Sequence, residues 1–153
     1  MSMWFYESKI GRVGITEKDG KITNVYITGD ELPQDVQICE TPLLKEAIRQ
    51  LESYFAGELT EFTLPLEPSG TDFMKKVWAA LCEIPYGKTA TYREVAEKVG
   101  VPKGARAVGL ANNRNPIPIF IPCHRVIGAD GSLTGYRGGL EIKKRLLELE
   151  NLK

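Results

Sequence analysis

The sequence predicts an α/β protein whose two halves differ in character: a small strand-rich unit first, a mostly helical one after it. Three observations predict this. The first third holds short β-branched and aromatic runs around a hairpin turn signal. The remainder places apolar residues at helical spacing. Pro65, Pro68 and Gly70 cluster between the two. The 153 residues suffice for one ordinary domain or two small ones sharing a core. The expected boundary gives units over 1–68 and 69–153.

Three strands are expected first, over 3–9, 12–17 and 21–27, with Asp19-Gly20 turning the last two into a hairpin. Thr41-Pro42 reads as an N-cap with proline at the first helical position. Leu44, Ala47, Ile48, Leu51, Tyr54 and Phe55 then form a helical apolar face, and Gly57 closes that helix. A second helix starts near Thr71, with Phe73, Val77, Trp78 and Leu81 on one face, and is expected to end at Pro85-Tyr86-Gly87.

Thr91-Tyr92-Arg93-Glu94 fits a capping box, in which the Thr91 hydroxyl and the Glu94 carboxylate satisfy each other's free amides. That helix runs to about Val99, and Gly100 to Gly104 break it. The next helix spans Ala105 to about Asn113. Helix, glycine-containing turn, helix is the plan of a helix-turn-helix, though the pattern by itself favours a plain αα-hairpin. Ala105, Ala107, Gly109 and Ala111 make its second helix small-sided, with Arg106 the one long cation in its first half. Such a helix suits close approach to a shallow groove better than base reading in a major groove, and also suits packing on another helix. After a turn at Ala129 to Ser132 and a glycine-rich loop over 133–139, a last helix from Leu140 to about Leu149 is expected to bring Leu140, Leu146, Leu147 and Leu149 to the core.

Composition excludes several classes. The chain is 42% hydrophobic and 26% charged, which argues for a globular fold against disorder. No apolar stretch approaches the roughly 18 residues that span a bilayer, and the N-terminus lacks a signal-peptide plan, so a cytoplasmic protein (nuclear in a eukaryote) is expected. Cys39, Cys82 and Cys123 are odd in number, irregularly spaced and without a CxxC pair. Disulfides and metal are not expected, and Cys39 and Cys82 read as buried or half-buried thiols. Residues 1–85 carry 8 Lys/Arg against 14 Asp/Glu, a net of −6, and residues 86–153 carry 12 against 6, a net of +6. A basic half is compatible with a phosphate-rich partner, and also with an ordinary solvated surface.

That basic half holds the densest chemistry. Ile121-Pro122-Cys123-His124-Arg125-Val126 sets a thiol beside the only histidine of the chain. Thiolate is the reactive form of cysteine, and imidazole is the side chain suited to take its proton near neutrality.

Four segments together resemble the O6-alkylguanine-DNA alkyltransferases (methylated-DNA–protein-cysteine methyltransferases). They are Pro85-Tyr86-Gly87-Lys88-Thr89-Ala90-Thr91-Tyr92, Ala105-Arg106-Ala107-Val108-Gly109, Asn115-Pro116 through Val126, and Gly135-Tyr136-Arg137. The resemblance covers about residues 70–150. It implies a ribonuclease-H-like N-terminal domain, and a helix-turn-helix entering the minor groove of double-stranded DNA to flip out an alkylated base. Cys123 would take the alkyl group irreversibly, once per molecule. His124 would accept the thiol proton through a water, and Glu150 would hold His124. Tyr92 would crowd the phosphate and donate to the base. Arg106 would replace the flipped base in the stack, and Asn115 would hinge the helix-turn-helix to the site. The Arg137 amide would meet the leaving oxygen, the carbonyls of Cys123 and Val126 would accept from the guanine amino group, and Tyr136 would pack on the base. Arg93 is a further candidate for DNA contact. No cofactor is needed, and a monomer is expected. Thr134 stands where mammalian members carry glycine, which should narrow the pocket against bulky alkyl groups. Two other readings remain: a turnover cysteine hydrolase, and a non-catalytic lesion-binding or helix-turn-helix regulatory protein.

Overall fold

The computed structural model describes residues 1–151. Its N-terminal half is a four-stranded sheet of order β3-β2-β1-β4, built from β1 (Ser2–Ser8), β2 (Gly11–Lys18), β3 (Lys21–Tyr26) and β4 (Gln37–Ile38). The first three pair antiparallel, and β4 joins β1 in parallel. Asp19 and Gly20 both take positive φ, 52° and 77°, as a two-residue hairpin with the native strand twist requires. Helix α1 (Pro42–Phe55) starts at Thr41, whose hydroxyl accepts from the Leu44 amide at 3.1 Å, and lays Leu44, Ala47, Leu51 and Tyr54 on the core side. Burying each leucine contributes about 1.5–3 kcal/mol.

The Pro/Gly segment expected as a boundary is stitched to the sheet. The Ile22 amide donates to Pro65 O and the Glu67 amide to Ile22 O, each at 2.8 Å, and farther along β3 the Val25 amide donates to Pro116 O at 2.9 Å. The edge strand β3 is thereby covered rather than left as a pairing template. One continuous core runs from Ile22 and Leu51 through Trp78 to Val126 and Leu146, so the two halves share an interior.

The second half packs α2 (Asp72–Leu81), α3 (Tyr92–Lys98), α4 (Ala105–Asn113) and α5 (Leu140–Asn151) around a two-stranded parallel ribbon of β5 (Ala90–Thr91) and β6 (Val126–Ile127). Helix α2 stops at Leu81, four residues before Pro85, because Cys82 and the residues after it close as tight turns. The capping box forms as expected, with Thr91 N to Glu94 Oε1 at 2.8 Å and Glu94 N to Thr91 Oγ1 at 3.1 Å. Gly100, at φ 85°, ends α3. Trp78 donates its indole N–H to Ala111 O at 2.9 Å and fixes α4 on α2. Among the described residues no helix is long and apolar enough to cross a membrane.

Two expectations fail. In α5 the inward positions are Lys143, Leu146 and Glu150, spaced at i, i+3 and i+7, while Leu140 stays exposed because it opens the helix above the loop. Cys82 is exposed, since the chain turns outward at the end of α2.

Candidate active site

The run from Ile117 to Ile121 is buried and enters the turn at Cys123 under strain. Ile119 holds φ at 78°, a region that a β-branched residue avoids, at a cost of about 1–3 kcal/mol. The conformation is held from both sides. Asn115 Nδ2 donates to Ile121 O and Asn115 Oδ1 accepts from the Ile117 amide, each at 2.9 Å, while Ile121 N returns to Ile117 O at 2.9 Å. Cys123–Arg125 then form one turn of 3-10 helix. Val126 leaves it to pair with Ala90, so the start of α3, and Tyr92 with it, is bound to the Cys123 turn through β5–β6.

The short turn sends its side chains apart. Cys123 faces a narrow cleft lined by Asn112, Asn115, Gly135, Tyr136 and Arg137. His124 points inward, fully buried, to Glu150 of α5, with Nε2 to Oε2 at 2.6 Å. The same carboxylate receives Arg125 Nε on Oε1 at 2.8 Å, Arg125 Nη2 on Oε2 at 3.1 Å and Tyr54 Oη on Oε2 at 2.6 Å, with the Gly87 amide at 3.4 Å from Oε1. Arg125 Nη1 caps Ile84 O at 2.6 Å. Burial alone would make Glu150 harder to ionise. His124, Arg125 and Tyr54 outweigh it and hold the carboxyl at about 2. An ionised Glu150 accepts only, so His124 carries its proton on Nε2 and leaves Nδ1 as the basic atom. Nδ1 is buried without a protein partner among the described residues.

Burial pushes the Cys123 thiol up, and Asn115, Arg137 and Lys143 only partly offset this. Burial pushes His124 down, against the support of Glu150. The resting pair is therefore a protonated thiol and a neutral imidazole. Lys143 lies beside them, fully buried, donating to Thr134 O at 2.7 Å, and burial lowers its ammonium to about 8. Thr134 O also accepts from Tyr92 Oη at 3.0 Å, and the Thr134 hydroxyl donates back to Tyr92 Oη at 3.2 Å.

The loop over the cleft rests on the N-terminal sheet. A Cβ on Gly138 would lie 2.3 Å from Ile27 Cδ1 and 3.1 Å from Tyr136 Cε2, so a larger residue there would have to displace the Ile27 side chain. Arg137 donates to Asn115 O at 3.0 Å and Val25 O at 3.2 Å and pairs with Asp30 at 3.3 Å. Its side chain is thus a structural clasp, while its backbone borders the cleft. Tyr136 is buried, and its hydroxyl and Asn112 Oδ1 lack partners among the described residues. Asn112 Nδ2 and the Val126 amide both donate to the Cys123 carbonyl.

The structure brings Cys123, His124, Glu150, Asn115, Val126, Tyr136 and Arg137 together, with Tyr92 joined through Thr134. Arg106 stands apart on the exposed face of α4 with Ala107, Leu110 and Asn113, and makes no side-chain hydrogen bond or ion pair among the described residues. Arg93 is exposed on α3 and pairs with Glu97 at 3.3 Å. Sequence reasoning did not single out Arg125, Tyr54, Lys143 or Asn112. Arg125 lay inside the motif, but Tyr54 passed for a core aromatic.

Sequence patterns of the 6-O-methylguanine DNA methyltransferases match the chain twice, the ribonuclease-like domain over residues 1–68 and the DNA-binding domain over 72–152. The chain belongs to this family. A methylated-DNA–protein-cysteine methyltransferase of Methanosarcina barkeri is 62% identical over 120 residues, covering 78% of this chain and 75% of the relative. The constitutive enzyme of Bacillus subtilis is 47% identical over 153 residues, covering 95% and 93%. The crystal structure of Mycobacterium tuberculosis OGT in complex with DNA superimposes with a TM-score of 0.94 at 46% identity, covering 99% of this chain and 94% of that one. The expected α/β class, with a ribonuclease-like first domain and a DNA-binding second, is that of the family.

Proposed function

We infer that the protein repairs alkylated DNA by moving the alkyl group from O6-alkylguanine in a duplex to Cys123. The observation that carries the reading is the buried thiol at the floor of a cleft, with a neutral histidine of fixed tautomer beside it and an exposed small-residue helix alongside.

The sulfur of Cys123 attacks the alkyl carbon as the carbon–oxygen bond breaks. The thiol proton passes by way of a water to His124 Nδ1, and Glu150 stabilises the imidazolium so formed. The electron pair of the broken bond leaves on the guanine oxygen, where the Arg137 amide donates. Tyr92 donates to the base, exchanging its bond to Thr134 O for one to the substrate. Tyr136 packs on the ring, and the Val126 carbonyl accepts from the amino group. Arg106 enters the stack from α4, where a planar cation replaces the flipped base. Arg93 contacts DNA after releasing Glu97. The product is a thioether with nothing present to reverse it, so each molecule acts once and needs no cofactor.

We place the division of labour at residues 1–68 and 69–153, the protein in the cytoplasm, or the nucleus of a eukaryote, as a monomer, and O4-alkylthymine among its substrates. Exposure to excess O6-methylguanine duplex tests the reading. One methyl per molecule, with no further uptake, is expected. Many equivalents per molecule would instead mark a turnover enzyme, and none a binding protein.

A further inference from the structure

Among the described residues, one side chain of the N-terminal domain hydrogen-bonds to the Glu150 carboxylate. Tyr54, on α1, donates its hydroxyl at 2.6 Å to Glu150 Oε2, across 96 residues of sequence. That oxygen is the one that faces His124 Nε2, also at 2.6 Å. The Tyr54 ring is fixed by edge or tilted contacts with Phe55, Phe62 and Tyr86, at centroid distances of 5.4, 5.2 and 6.2 Å. The hydroxyl therefore has little freedom to turn elsewhere. Burial, and then the Glu150 charge, push its phenol far above the usual range, so it remains a donor at every working pH.

We propose that Tyr54 is a positioning residue of the alkyl-transfer site, whose hydroxyl fixes Glu150 Oε2 and tempers the pull of that oxygen on His124. The proposal rests on the assignment of Cys123, His124 and Glu150 given above. A carboxylate oxygen shares its negative charge among the donors it accepts. Each donor on Oε2 other than His124 weakens the stabilisation left for an imidazolium. Tyr54 thus helps keep His124 neutral and Cys123 protonated until a substrate arrives, which protects a thiol that can be used only once. Among the described residues, the other charged or titratable groups facing the pair are Arg125 from the Cys123 turn, Tyr86 from the segment after α2, and Lys143 from α5. Tyr54 alone among them comes from the ribonuclease-like domain. It gives that domain a part in the chemistry.

The test follows the pH dependence of Cys123 alkylation by iodoacetamide, read by mass, in a Cys39→Ser/Cys82→Ser background. His124 must be unprotonated to act as base, so the reaction fails on the acid side. Tyr54→Phe keeps the ring and removes the donor. It should make His124 more basic and move the acid limb up by about half a pH unit or more. Replacing Tyr54 with 3-fluorotyrosine strengthens the donor without changing the packing, and should move the limb the other way. Opposite displacements support the proposal, and a purely structural role would not produce them. Superimposable limbs, or displacement in one direction for both, overturn it; if Tyr54→Phe fails to fold, the fluorotyrosine protein decides alone. Wild-type uptake of methyl from O6-methylguanine duplex is measured in parallel. Its failure would sink the alkyl-transfer reading, whereas matching limbs with normal uptake would sink only the role of Tyr54.

Discussion

Glu150→Gln tests the carboxylate that His124, Arg125 and Tyr54 share. The substitution keeps the shape and removes the charge. Its cost follows from the structure in two ways. The fall of the carboxyl from 4.5 to about 2, at about 1.4 kcal/mol per pH unit, corresponds to about 3 kcal/mol of folding stability near neutrality. Independently, removing one partner of a buried ion pair costs about 3–5 kcal/mol, because the other is left uncompensated. Here that partner is Arg125, whose side chain is 8% exposed. The glutamine amide makes matters worse. Its NH2 must face either Arg125 or the His124 and Tyr54 side, and both present donors. Urea denaturation at neutral pH should therefore show a loss of about 3 kcal/mol or more. A double-mutant cycle with Arg125→Met should recover about 2 kcal/mol relative to the sum of the single changes. A loss under about 1 kcal/mol, or strict additivity, would refute the picture of Glu150 as the charge on which Arg125 and His124 depend.

Three further outcomes are expected. His124 is the sole histidine and its folded-state pKa is lowered from 6.5, so the unfolded chain binds a proton that the native state refuses. The stability it contributes is present above 6.5 and lost as pH falls below, at up to about 1.4 kcal/mol per pH unit, and flat urea midpoints from pH 6.5 to about 5.5 would contradict this. Arg106→Ala should slow methyl uptake from duplex DNA by about tenfold or more while leaving the iodoacetamide reaction of Cys123 unchanged, since Arg106 lies outside the cleft; equal slowing of both would remove its role in the stack. Thr134→Gly should speed reaction with O6-benzylguanine by freeing the rim beside Gly135, and efficient reaction of the unsubstituted protein would count against Thr134 as the restriction.

The local features of the fold are legible in the sequence. Thr41-Pro42, Thr91 with Glu94 and Asp19-Gly20 are local signals whose hydrogen bonds close within a few residues, and each forms as expected. The adjacency of Cys123 and the lone histidine is equally plain in the sequence. The rest depended on contacts far apart in sequence. Tyr54 sits at a core position of an amphipathic helix, and nothing near it tells that its hydroxyl meets Glu150. Lys143 looks like a solvated helix charge until α5 is placed, when its position turns inward in place of Leu140. Arg125 stands inside the motif, but its pairing with Glu150 requires the last helix to return across the Cys123 turn. The Pro65–Gly70 segment reads as a linker from composition, yet its backbone extends the sheet, since an edge strand accepts any extended chain.

The central claim is that Cys123, and no other thiol, accepts the alkyl group. Peptide mapping after incubation with an O6-methylguanine duplex tests it directly, with half-buried Cys39 and exposed Cys82 as internal controls. One methyl is expected, on the peptide containing Cys123, and none on Cys123→Ala. A methyl on Cys82 or Cys39, or continued repair by Cys123→Ala, would contradict it.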